Sequence, residues 1–137
     1  MELILDITNF WKPFIAVFGT WLLVQLLKAG VNYRANKPIS FLQNGGQISG
    51  HAATTIALAT VILLETGLSL LFLIALVIAA IVINDAVGVR QETSKHSVFL
   101  NKLTQKQDYQ IVGHDAIEVL TGATFGIIIP ILLYSLL

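Results

Sequence analysis

The residues able to do acid–base or nucleophilic chemistry stand at the edges of hydrophobic stretches. The first group is G-G-Q-I-S-G-H-A-A, residues 45–53. Gly45 and Gly46 let the backbone turn tightly, and Ser49 is a suitable helix N-cap. The free N–H groups of the following turn and the positive end of the helix dipole make an anion site, and His51 is placed to reach an anion held there. The second group is G-H-D-A-I-E, residues 113–118. His114 and Glu118 are spaced i, i+4 and share a helix face, so the carboxylate can hold the imidazole in one tautomer and raise its basicity. The third is N-D-A-V-G-V-R, residues 84–90, which puts Asp85 and Arg90 at the edge of an apolar run. Ionisable groups at that depth are costly and usually face a polar site.

Each group also has an ordinary structural reading: a capped helix with an interfacial histidine, a His–Glu pair at an interface, an arginine snorkelling to water. A zinc site from His51, Asp85, His114 and Glu118 is a further reading. However, no H-E-x-x-H pattern supports it, and the surrounding cations favour an anion. Taken together, two histidines, a carboxylate, a helix N-terminus and several cations point to phosphoryl transfer through a phosphohistidine. One imidazole attacks phosphorus, the other protonates the leaving oxygen, and cations stabilise the transition state. That chemistry requires neither metal nor cofactor.

The elements that must position these groups are membrane helices. Only 12 % of the 137 residues are charged, where a soluble domain carries about 25 %. Residues 66–84 and 119–137 carry no charge, residues 13–27 form a shorter uncharged run, and residues 38–64 hold only His51 as a titratable group. The expectation is an all-α integral membrane bundle of one domain, residues 1–137, with about four transmembrane helices. The first helix runs from about Phe10 to Ala29 or beyond. The second starts near Ser49 and ends near Glu65, with a turn around Gly67. The third begins near Leu70 and stays apolar to Asn84, continuing as a more polar helix bent at Gly88. The last runs from about His114 to the C-terminus and is kinked at Pro130. The acidic N-terminus does not read as a signal peptide. Cysteine is absent, which removes disulfides and thiolate ligands, and a net charge of zero gives no reason to expect nucleic acid as a partner.

With four crossings, Lys28 and Arg34, Ser49 to His51, Asp85 and Arg90, and His114 and Glu118 all fall on one side. Seven of the eight Lys and Arg residues lie there, so the positive-inside rule makes it the cytoplasmic side of a plasma (inner) membrane. His96 lies in a polar stretch and is expected to be solvated.

Three blocks, in order and at similar spacing, resemble the divergent type-2 phosphatidic acid phosphatase family, the acid phosphatase/vanadium-dependent haloperoxidase-related membrane proteins. Residues 45–53 resemble that family's G-G-M-P-S-S-H-S-A. Residues 84–101, N-D-A-V-G-V-R-Q-E-T-S-K-H-S-V-F-L-N, resemble its D-A-x-G-V-R-R block with G-K-Q-A and a closing L-N. Residues 113–126, G-H-D-A-I-E-V-L-T-G-A-T-F-G, resemble its G-H-T-P-x-E-V-x-x-G-A-x-x-G. The resemblance implies that Ser49 and the Gly50 N–H bind phosphate, His51 is the general acid, His114 the nucleophile and Glu118 its orienting carboxylate. Arg90 would be the phosphate-binding arginine. Lys28 and Arg34 resemble the wider superfamily's Lys-x6-Arg-Pro, one residue short and without the proline, and Lys37-Pro38 is an alternative source of that cation. Lys95 and Asn101 match positions without an assigned role, and Asp85 and Lys95 are carried as supporting residues. The chain departs from the family at Gln47-Ile48, Gln91 and Asp115-Ala116, and at Gly50, which moves toward the wider superfamily. Asp115 puts a negative charge beside His114.

The expectation is therefore a lipid phosphatase acting on phosphatidylglycerophosphate, phosphatidate or a prenyl pyrophosphate, and the small size points to a homodimer. The alternative is a non-catalytic phospholipid-binding protein or scaffold subunit with a degenerate site. A transporter or channel subunit ranks last, because the last two apolar helices carry no polar residue near their centres. Vanadate-dependent halide oxidation also ranks behind a lipid substrate for a membrane-embedded chain.

Overall fold

The computed structural model describes residues 7–34, 48–105 and 113–137, with the side chains of 7–9 left aside. The described residues form five helices: α1 (Ile7–Arg34), α2 (Gly50–Thr66), α3 (Leu70–Val87), α4 (Val89–Thr104) and α5 (Ala116–Leu136). α1, α3 and α5 are long and apolar enough to cross a membrane. α2 has 17 residues, a length of about 25 Å at about 1.5 Å per residue, near the lower limit for a crossing. The outer surface agrees with this environment: Leu70, Leu73 and Ile81 of α3 are all more than half exposed. Without water to drive apolar association, such helices are held together by close backbone approach.

α2 is the central element, packed on α5, α3 and α1, while α1 and α3 flank it without packing on each other. Small residues make this possible. Ala53 and Ala57 face α5, and Ala52 meets Ala86 of α3 and Val119 of α5. The opposing surface of α5 is Gly122 and Gly126, a small-xxx-small pair. A Cβ on Gly122 would fall 2.3 Å from the Ser49 carbonyl oxygen, and one on Gly126 would fall 2.5 Å from that of Ala53. Thr60 Oγ1 donates across the same seam to the Gly126 carbonyl at 3.2 Å. On α1, the residues Ala16, Thr20, Val24, Lys28 and Asn32, spaced i, i+4, form the buried stripe.

The turns are local and sequence-encoded. α2 ends at Gly67, whose φ of 63° is left-handed backbone that glycine adopts without strain. Ser69 caps α3 by accepting the Phe72 N–H at 3.2 Å. The expected bend at Gly88 is a break between α3 and α4, and the expected start of the last helix at His114 moves to Ala116, because Asp115 is the N-cap. Pro130 lies inside α5 and is buried, and Pro13 lies inside α1.

Candidate active site

The site is built where the N-terminal ends of α2 and α5 meet the C-terminal half of α1 and the α3–α4 break. Ser49 anchors it. Its N–H donates to the Glu118 carbonyl at 3.1 Å, joining the starts of α2 and α5. Its fully buried side chain caps α2 by accepting the Ala52 N–H at 3.4 Å. Gly50 and His51 follow in the first turn, where amide N–H groups have no helical acceptor. Only Gln25 Nε2 of α1, at 4.0 Å, comes near where a Gly50 Cβ would be, so the family's serine would fit there. His51 is half-buried, and it lies close enough to Arg90, His114, Lys28 and Asp85 for their charges to act on it.

His114 is 3 % exposed, and its Nδ1 lies 2.9 Å from Glu118 Oε2. The same Glu118 oxygen accepts the Asp115 N–H at 3.3 Å, while Asp115 Oδ1 accepts the Glu118 N–H at 2.8 Å. This is a reciprocal capping box. It explains the departure at Asp115-Ala116: aspartate serves as an N-cap in the family's threonine position, and N1 tolerates alanine where the family has proline. The Asp115 carboxylate is spent on the α5 cap and stands exposed.

The segment before α5 is seated on the α3–α4 break. The Gly113 N–H donates to Ser94 Oγ at 2.7 Å, and the Ser94 hydroxyl donates to the Arg90 carbonyl at 3.0 Å. The His114 N–H donates to the Ala86 carbonyl at 3.3 Å. A Cβ on Gly113 would fall 2.6 Å from the Gln91 Cα, so only glycine permits this seat. Across the break, Arg90 Nε donates to Asp85 Oδ2 at 2.6 Å, with both side chains partly exposed.

The remaining sequence-derived residues fall as follows. Lys28 is buried on α1, within electrostatic reach of Glu118. Arg34 is exposed at the end of α1. At about 100° per residue, its spacing from Lys28 puts the two on different faces of the helix. Lys95 is exposed and pairs with Glu92 at 2.5 Å. Lys37 lies outside the described residues. Ile48, at one departure from the family pattern, packs with Val24 and Ala53 in the core. Gln91, at another, supplies backbone for the Gly113 seat. Sequence reasoning missed Ser94, the glycine contacts and the capping box. Of these, only the D-x-x-E spacing at 115–118 was a legible signal. Among the described residues, no group of three His, Asp or Glu side chains is arranged to hold a metal ion.

The chain is 28 % identical to the Uncharacterized membrane protein YuiD of Bacillus subtilis (strain 168), over 158 aligned positions covering 97 % of each chain. No solved structure matches it significantly. Residues 10–129 match the family described as the Divergent PAP2 family, so this chain, with its helices long and apolar enough to cross a membrane, belongs to that family of membrane proteins.

Proposed function

We propose that the protein is an integral-membrane lipid phosphatase that hydrolyses a phosphomonoester or pyrophosphate through a phosphohistidine on His114. The observation that carries the reading is the contact between His114 Nδ1 and Glu118 Oε2 at 2.9 Å. With Nδ1–H donated to the carboxylate, Nε2 keeps the lone pair and is the nucleophile. It forms a bond to phosphorus as the bond to the leaving oxygen breaks, and His51 gives that oxygen its proton. In the second half, water attacks the phosphohistidine, His51 takes its proton, and inorganic phosphate leaves. Ser49, the Gly50 and His51 amides, Arg90 and Lys28 hold the phosphoryl oxygens, and Glu118 stabilises the imidazolium. Asp85 orients Arg90 as a supporting residue. Arg34 and Lys95 lie toward the same end of the bundle, the side that the positive-inside rule reads as cytoplasmic.

The test is phosphate release by the purified protein in detergent from phosphatidylglycerophosphate, phosphatidate and a prenyl pyrophosphate, with EDTA and no added metal. Release lost in both His114→Ala and His51→Ala supports the reading. A folded wild-type protein that retains these lipids without releasing phosphate makes it a binding protein instead.

A further inference from the structure

A second feature lies at the opposite end of the bundle. α1 and α3 both pack on α2 without packing on each other, and at this end the three helices line an apolar furrow with α2 as its floor. It widens into a cavity of about 390 Å³ whose walls include Phe10 and Val17 of α1, Leu58 of α2 and Leu71 of α3, with Glu65 and Thr66 at the far end. That size falls in the range of ligand pockets.

Each wall leads back to a residue of the histidine site. On α1, Lys28 lies about five turns beyond Phe10 and so on the same face. On α2, Leu58 and Glu65 lie about two and four turns beyond His51, on one face. On α3, Asp85 lies about four turns beyond Leu71, again on one face. The cavity therefore occupies the stretch of furrow from about 10 Å to about 22 Å beyond His51 along α2. A leaflet is about 15 Å deep, so the cavity reaches past the bilayer midplane.

We propose that this cavity is the tail subsite of the lipid whose phosphate occupies the histidine site, and that it selects a long hydrocarbon tail. The proposal rests on the lipid-phosphatase reading for the head group. The occupant comes from the histidine side because of charge: a phospholipid entering from the other leaflet would bring its phosphate against the Glu65 carboxylate at the far mouth. From the histidine side, the phosphate meets Lys28, His51 and Arg90, and only the tail travels the furrow. A tail shorter than the leaflet depth leaves most of the cavity unfilled.

The experiment uses the full chain in detergent with hexyl, decyl, tetradecyl and octadecyl phosphate. Wild-type kcat/KM is expected to rise with tail length. Leu58→Trp fills the cavity from its floor and Leu71→Trp from its α3 wall. Both positions are partly open, so the fold has room to accept them. Each is expected to cut octadecyl phosphate turnover about tenfold, the scale of a lost apolar fit, and to leave hexyl phosphate unchanged. Equal losses at every length, or no loss at the longest, would overturn the tail subsite. Binding is read separately through Trp21, one turn from Val17 on the furrow side of α1, in a Trp11→Phe background. An octadecyl phosphate brominated along its tail should quench Trp21, and inorganic phosphate should relieve the quenching. If no length is hydrolysed but the quenching holds, the tail subsite stands and the phosphatase reading falls. Hydrolysis without a length effect or quenching removes the tail subsite alone.

Discussion

His114 and Glu118 form one hydrogen-bonded unit across a single turn, with Nδ1 and Oε2 at 2.9 Å and the imidazole almost fully buried. The same carboxylate oxygen closes the capping box with Asp115, so the group that orients the histidine is itself fixed by the helix start. Glu118 is thus held from both sides, and the ring it addresses has one nitrogen left for chemistry.

Glu118→Gln should retain the cap geometry while removing the charge that stabilises the imidazolium. Turnover should fall by about 10²- to 10⁴-fold, the upper end being the loss on neutralising the aspartate of a serine-protease triad. The measurement is kcat for phosphate release, with thermal stability followed in parallel. Asp115→Ala should do the opposite, costing about 1 kcal/mol of stability through the lost cap with a much smaller effect on turnover.

Asp85 and Arg90 form an ion pair with both side chains partly exposed, so the pair itself contributes little stability, at most about 1 kcal/mol. It spans the Gly88 break, and on the proposed mechanism it orients the Arg90 guanidinium. Asp85→Asn should raise KM severalfold and leave the melting temperature nearly unchanged. A large loss of stability with unaltered KM would instead make the pair a structural element.

Ser94 receives the Gly113 N–H and donates to the Arg90 carbonyl, so it ties the His114 segment to the arginine. Ser94→Ala should speed hydrogen exchange at the Gly113 amide more than at amides of the α2 core. Ser94→Thr, which keeps the hydroxyl, should restore protection.

The seam between α2 and α5 has no room for side chains at Gly122 and Gly126. Gly126→Ala should destabilise the bundle by about 1 to 3 kcal/mol, as overpacking does, and the same change at the exposed Gly30 should be tolerated. Thermal unfolding in detergent distinguishes the two.

The candidate site was legible because the chain is so apolar: His51, Arg90, His114 and Glu118 stand out where charge is scarce, and each comes to one end of the bundle. The helices were legible for the same reason, and Ser49 and Gly67 marked the ends of α2. What stayed hidden was contact made by what is missing. Gly113, Gly122 and Gly126 act by lacking a Cβ against another segment's backbone, which no local pattern reveals. Ser94 acts through a long-range bond with the same limitation. Asp115 was misleading because a carboxylate beside His114 reads as charge in the site, whereas its hydrogen bond to the Glu118 N–H makes it the cap of α5.

The most direct test of the central claim is to find the covalent intermediate. The protein, mixed with a phosphate-labelled lipid substrate and quenched in base, should carry an acid-labile, base-stable phosphoryl group on His114 by peptide mass spectrometry. The label should vanish in His114→Ala. Steady phosphate release without any labelled histidine, or a label on another residue, would contradict it.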